Sequence, residues 1–322
     1  MTTKSKQPST RLFMLGAAWL ALGGAAFADS TDATNAANGS ACNDIRPFYW
    51  EIGEDSGGPV VSGQVGGTDY ARDTQIGIAS ASKWIFGAYV LERYYGPPTG
   101  SAGATIVSAL NMQEGHTSFS PLYCAFTTYV NGCHMIGSND DVDSSKVGYF
   151  NYGGGDGQYA AADTGLLGLN TKTATTLLNE VNSYLSLGSD FEYNFPAVAG
   201  GMRSSAEDYA AFLQNLMDGT YVMSSYLGDS AVNTQCTECS SPFGSVDLHY
   251  SYFHWVEDQT GGNLPNGTSV SAGDGSFSSP GALGFYPWIS ADKETYGIVA
   301  TDDASFQESY VCGVAIRDAY FQ

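Results

Sequence analysis

The chain has 322 residues, with 33 acidic side chains against 12 basic ones and a formal charge of −21. Such a field repels nucleic acid and anionic membrane surfaces, and both are excluded as partners. Aromatic residues are plentiful (21 Tyr, 16 Phe, 5 Trp), which excludes a disordered acidic chain.

Residues 1–28 read as a signal peptide. MTTKSKQPSTR carries Lys4, Lys6 and Arg11 without an acid, LFMLGAAWLALGGAAFA is apolar, and Ala26-Phe27-Ala28 is a small-x-small cleavage pattern. The apolar run is shorter than a spanning helix, and no later segment could cross a bilayer. The sequence therefore predicts a secreted or periplasmic protein, starting at Asp29, with no integral membrane segment. All six cysteines follow that point, and an even count in an oxidising compartment predicts disulfides. Cys124 with Cys133 would close a short loop, and Cys42 with Cys312 would tie the two ends together. Cys236-Thr-Glu-Cys239 has redox-motif spacing but no βαβ context, and reads as a structural bridge. Fifteen pairings are formally open.

Asp29 to Ala41 reads as a loose leader. Short apolar pieces between Phe48 and Val65, broken by Gly58, Pro59 and Gly63, predict strands with turns. KWIFGAYVLERYYG predicts a buried helix beginning near Ser80 and ending at Gly96-Pro97-Pro98. Gly96 to Gly157 is rich in Gly, Ser and Asn and predicts a few short helical or irregular pieces. Thr171–Leu187 and Ser205–Met217 predict two helices, the second capped by Ser204 or Ser205. FYPWIS and ETYGIVA, joined by Ala291-Asp292-Lys293, predict a hairpin. YVCGVAIRDAYFQ closes the chain as a strand or a helix. No internal repeat is present.

DSGGPVV, at Asp55 to Val61, spells the nucleophile loop of a trypsin-like protease. Such an enzyme places its histidine and aspartate earlier in the chain, yet the first histidine here is His116. Ser56 is therefore rejected. G-x-S-x-G, H-E-x-x-H and the P-loop pattern are absent. The better candidates are Ser80 and Lys83 in IASASKWI. Their i, i+3 spacing puts both on one helix face, and a helix start offers unpaired N–H groups to a charged oxygen. A desolvated Lys83 could shed its proton and act as a base.

Around these residues GGTDYARDTQIGIASASKWIFGAYV resembles the entry segment of the serine β-lactamase and penicillin-binding-protein superfamily, nearest the class C β-lactamase and esterase branch. GYFNYGGGDGQYAA resembles that family's tyrosine element, and PAVAGGMRSSAEDYAAFLQNLMDG its glycine-pair helix. SPGALGFYPWISADKETYGIVA resembles its terminal strand pair, and the similarity runs from about Val60 to Ala300. The resemblance implies a mixed α/β fold, with an antiparallel sheet flanked by helices and a mostly helical lobe. Residues 29–322 would form one domain, with the sheet lobe at roughly 45–95 and 245–322 and the helical lobe at 96–244.

It further implies that Ser80 forms an acyl-enzyme, that Lys83 takes or relays its proton, and that Tyr152 serves in proton transfer with a pKa lowered by the nearby ammonium. The oxyanion would lie between the N–H groups of Ser80 and Ala282. Tyr149, which spells Y-x-N with Asn151, is the rival of Tyr152. No metal and no cofactor are implied.

Two departures matter. Gly154 stands where the family has an asparagine, and Ser279-Pro280-Gly281 replaces the K-T-G box, removing the cation that meets a substrate carboxylate. Pro280 fits only if that edge of the strand is unpaired. An ester or amide without a neighbouring carboxylate becomes the expected substrate, whether a small molecule or an oligomer. It would lie along Gly154, Ser279 and Gly281, with Tyr252 and Trp255 as pocket residues. A β-lactamase, a D-Ala-D-Ala carboxypeptidase and a non-catalytic binding protein are the alternatives. His116 is read as structural, and His134, His249 and His254 show no ligand spacing. Asn139 to Asp143 lacks an EF-hand register and is read as a solvated loop rather than a calcium site.

Overall fold

A computed structural model describes residues 29–322. The proposed signal peptide, residues 1–28, lies outside the described residues. The chain opens with α1 (Ser30–Ala37) and a 3₁₀ turn, Ser40–Ile45. The hairpin of β1 (Phe48–Glu54) and β2 (Val61–Val65) follows, then the short β3 (Ile76–Gly77). A 3₁₀ turn at Ala79–Ala81 runs directly into α2 (Ser82–Tyr94). Next come α3 (Gly100–Leu110), α4 (Pro121–Cys124), α5 (Val130–Met135), α6 (Gly155–Ala162) and α7 (Ala174–Leu185). The strands β4 (Glu192–Tyr193) and β5 (Met202–Ser204) join β3 in a small sheet, and α8 (Ala206–Met217) follows.

The remaining strands are β6 (Val232–Asn233), β7 (His249–Ser251), β8 (His254–Glu257), β9 (Gly262–Asn263), β10 (Ser269–Val270), β11 (Ser276–Ser278), β12 (Tyr286–Ile289) and β13 (Thr295–Ala300). Helix α9 (Phe306–Tyr320) closes the chain. The main sheet is antiparallel in the order β2-β1-β13-β12-β11-β8-β7-β6. It draws on both ends of the chain and also takes β6 from within 96–244.

Alternation along the strands explains how the sheet is covered, since successive side chains point to opposite faces. Tyr286, Trp288 and Trp255 lie on the face that meets α9, where a Cβ on Gly313 would fall 2.2 Å from the Tyr286 ring. Glu51 and Tyr296 lie on the other face, toward α8, and Arg72 bridges Glu51 to Glu207 of that helix. The predicted hairpin is β12–β13, and the predicted cap of α8 is Ser205, whose hydroxyl accepts from the Asp208 N–H. The last segment is a helix, with Ser305 and Glu308 forming a capping box.

Two expectations are corrected. Asp29 to Ala41 is not loose. Asp29 caps α1, whose small buried residues Ala33 and Ala37 let it pack closely on α9, and the Cys42–Cys312 disulfide ties the two segments. Nor is the stretch after Gly96 only fragmentary. Ile106, Ala109 and Leu110 give α3 a buried face at helical spacing, which its glycines and serines obscure in the sequence. The three bridges are Cys42–Cys312, Cys124–Cys133 and Cys236–Cys239, a set that suits an oxidising, non-cytoplasmic environment. Among the described residues no helix is long and apolar enough to cross a membrane.

Beneath α9 lies a buried polar cluster. Arg317 Nη2 donates to Glu257 at 2.8 Å and Nη1 donates to the Tyr286 hydroxyl, which itself donates to Glu257. The Arg317 Nε sits 3.0 Å from Asp274. Arg317 and Glu257 are both almost wholly buried. Removing one member strands an uncompensated charge, so Arg317→Met should cost about 3–5 kcal/mol in urea unfolding. Arg317→Met with Glu257→Gln should recover a good part of that loss.

Candidate active site

Three parts of the chain converge at the start of α2. Gln75 to Ile78 enter as an edge of the small sheet, with the Ile78 N–H donating to Met202 O. Ala79 then takes a left-handed φ of 43°, a conformation that a side chain normally avoids. This turn starts the 3₁₀ segment that carries Ser80. Ser82 locks it, accepting from the Met202 N–H and donating to Ala79 O. The Tyr209 hydroxyl of α8 adds a bond to Ala81 O.

Lys83 stands one turn beyond Ser80 among Trp84, Ile85 and Phe86, all fully buried. Its Nζ lies 2.9 Å from Ser80 Oγ and 3.0 Å from the Ala199 carbonyl. The residue is only 3% exposed, and burial lowers the pKa of its amine to about 7. Among the described residues no carboxylate pairs with it. Ala199 is positioned by a tight loop in which the Gly201 N–H returns to Ala197 O and buried Gln158 accepts from the Val198 N–H.

Tyr152 arrives from the loop before α6, and Lys83 Nζ lies 4.7 Å from its ring centroid. The ring stacks on Trp255 of β8 at 5.1 Å. The expected lowering of the phenol pKa is not found. Burial instead pushes it up to about 12, with the Ser80 and Trp255 side chains pulling it only part of the way back. Tyr149 is 42% exposed and turned to solvent, so the geometry brings Tyr152, not Tyr149, to Ser80 and Lys83.

The end of β11 forms the opposite wall. The Ser279 hydroxyl donates to Ser80 O at 3.1 Å. Pro280 lies just past β11, whose pairing with β8 ends at Ser278, so that edge is unpaired at the proline as expected, while the flanking N–H groups of Ser279 and Gly281 donate to Pro287 O and Phe285 O on the β12 side. Gly281 is required by close approach, since a Cβ there would sit 2.2 Å from Ile78 O. Gly154 is similar, because a Cβ would press on Phe119 and Ala199. The N–H groups of Ser80 and Ala282 donate to no protein acceptor among the described residues, and both residues border the same pocket.

That pocket holds about 210 Å³ and is walled by Ser80, Tyr152, Trp255, Phe243, Phe306 and Pro280, with Pro242 and Ala282 completing it. Its lining carries no charged side chain. Tyr252 does not reach it. It sits in the β7–β8 turn at a left-handed φ of 42°, its carbonyl packed where a Cβ on Gly87 would be. The sequence reading missed Pro242, Phe243 and Phe306, which come from loops and helix ends with no periodic signal. The contribution of Ala199 is a backbone carbonyl, which no residue type announces.

The other polar candidates lie elsewhere. Ser56 is exposed in the β1–β2 loop. His116 stacks on Tyr159 and is held by its backbone to Asp156, with its ring pKa lowered by burial to about 4. Asn139 is fully buried and pins Ser120 and Cys133 through its amide.

No protein-family model matches the sequence, and no curated protein matches it. Solved structures do resemble it in fold. EstCE1, a hydrolase with promiscuous acyltransferase activity, is 13% identical with a TM-score of 0.62, over 91% of this chain and 99% of that one. A β-lactamase from Mycobacterium bovis is 15% identical with a TM-score of 0.56, over 86% and 96%. A D-stereospecific amidohydrolase from Streptomyces is 14% identical with a TM-score of 0.53, over 88% and 98%. The chain thus has the mixed α/β, helix-flanked antiparallel fold shared by β-lactamases and related hydrolases.

Proposed function

We propose that the protein is an exported serine hydrolase that cleaves an uncharged carboxylic ester through an acyl-enzyme on Ser80. The observation that carries this reading is the contact between Ser80 Oγ and a buried Lys83 amine that has no counter-ion among the described residues and a pKa of about 7. In its neutral form Lys83 accepts the hydroxyl proton as Ser80 attacks the acyl carbon. The free N–H groups of Ser80 and Ala282 stabilise the oxyanion. Tyr152, kept protonated by its burial, gives its proton to the departing alkoxide and regains one from the Lys83 ammonium. Water then attacks the acyl-enzyme, returns its proton through Lys83 and releases the acid.

Substrate class follows from the pocket. A wall of Phe243, Trp255, Phe306 and proline favours an apolar acyl or aryl group. With Ser279-Pro280-Gly281 in place of a lysine or histidine box, nothing there meets a substrate carboxylate. This favours esters over β-lactams and D-alanyl peptides. The relatives in fold are described as hydrolases of several bond types, which is consistent with this reading without selecting the bond.

Short-chain nitrophenyl esters should be hydrolysed without turnover of a chromogenic cephalosporin, and a fluorophosphonate should label Ser80. Ser80→Ala should lower kcat/KM by about 10³-fold or more and abolish labelling, and Tyr152→Phe should lower kcat by about 10²–10⁴-fold. Full turnover by Ser80→Ala would end the proposal.

Because Lys83 must be neutral to act, kcat/KM should rise with pH through about 7 and then level off. The same shift affects stability. The folded pKa lies below the unfolded value near 10.5, so the buried charge penalises folding fully below about pH 7, and the penalty fades as pH rises toward 10.5. Lys83→Met should therefore stabilise the protein at pH 6 by up to about 5 kcal/mol, with the gain shrinking by pH 10 in thermal melts.

A further inference from the structure

The three disulfides differ in exposure. Cys42, Cys312, Cys124 and Cys133 are each fully buried, whereas Cys236 is exposed and Cys239 only partly covered. The exposed bridge closes a small ring, Cys236-Thr-Glu-Cys239, in which the Cys239 N–H also returns to Cys236 O.

The residue after this ring, Ser240, is where the tyrosine loop is held. Ser240 accepts from the Tyr152 N–H at 2.9 Å and donates to Phe150 O at 2.9 Å. This parallel bridge between Asn151 and Ser240 belongs to no larger strand. Lys146, from the segment leading to Tyr152, donates to the Glu238 carbonyl inside the ring at 2.7 Å. Two and three residues past Ser240, Pro242 and Phe243 form part of the pocket wall, with Phe243 4.7 Å from Trp255 and 5.3 Å from Phe306. Gln235, just before the ring, donates to Gly244 O and Val246 O and pins the far end of the same loop.

We propose that the Cys236–Cys239 ring is a positioning element that seats both Tyr152 and the Phe243 wall, and that a dithiol reductant, by opening it, loosens the two together. The proposal rests on the hydrolase reading for its kinetic effect, but not for its structural one. In the opening step a reductant thiolate attacks the exposed Cys236 sulfur and expels Cys239 as a thiolate. The second thiol of the reductant then displaces Cys236 and forms the reductant's own disulfide. Two electrons pass to the protein, and both cysteines end as thiols.

The test treats the full chain with dithiothreitol under native conditions, identifies opened bridges by alkylation and mass spectrometry, and follows esters of increasing acyl length. The ring should open while the two buried bridges stay closed. On opening, kcat should fall about tenfold, the preference among acyl lengths should flatten, and Tm should move by only a few degrees. Cys236→Ala with Cys239→Ala should reproduce these changes and become insensitive to the reductant. Amide exchange at Tyr152 and Ser240 should accelerate at least tenfold, a readout that holds even for a chain with no esterase activity. Unchanged exchange with the ring open would overturn the proposal, as would a loss of activity equal for all acyl lengths that tracks a fall in Tm. Failure of the oxidised protein to label at Ser80 would instead overturn the hydrolase reading and leave the exchange result to decide the positioning role.

Discussion

A lysine amine buried with no counter-ion among the described residues is the constraint around which this site is arranged. Taking an ammonium out of water is costly, and a protein meets that cost by pairing the charge or by letting the proton go. Among the described residues the hydrogen-bond partners of Lys83 Nζ are a hydroxyl and a carbonyl, Ser80 Oγ and Ala199 O. Both are acceptors that a neutral amine can also satisfy. The Tyr152 ring covers the amine at 4.7 Å, and the left-handed Ala79 with its Ser82 lock brings the hydroxyl within reach. The sheet is needed too, because the bond from Ser279 to Ser80 O fixes the turn from the opposite side.

Burial decides what Tyr152 can do. A phenol enclosed by aromatic rings gives up its proton less readily than one in water. Among Trp255, Tyr250 and Phe150 the proton therefore stays on the oxygen. Above about pH 7 amine and phenol thus hold opposite roles, one ready to accept a proton and the other ready to give one. Under the proposed reaction that division is what a single pass of attack and leaving-group departure requires.

How much of this was legible in the sequence depended on whether the information was local. Helix α2, the Ser205 cap and the β12–β13 hairpin announce themselves through apolar runs, capping residues and turn residues. Ser80 and Lys83 are legible because their contact follows from helical spacing alone. Tyr152 needed the glycine run beside it to stand out from its neighbour Tyr149. The face of α3 was hidden by small residues, and α1 was hidden because its partner, α9, lies at the other end of the chain. The pocket wall was the least legible. Phe243 and Phe306 meet Trp255 only after the whole sheet has formed, and a phenylalanine in a loop carries no mark of what it will touch. The direction of the Tyr152 shift failed for a related reason, since it is set by the burial of the phenol, which tertiary packing decides.

The contrast between the surface and the pocket bears on turnover. The chain carries a large excess of carboxylates, yet the lining of the pocket is free of charge. A neutral ester enters with little opposition from an acidic exterior, and its apolar group gains by leaving water. Hydrolysis in the proposed reaction turns that ester into a carboxylate, which the pocket cannot pair and the surrounding field repels. The cation box that would hold a carboxylate is absent here, so the chemistry itself converts a ligand the site accommodates into one it rejects. Substrate choice and product release then follow from one feature, an uncharged aromatic pocket set into an anionic protein.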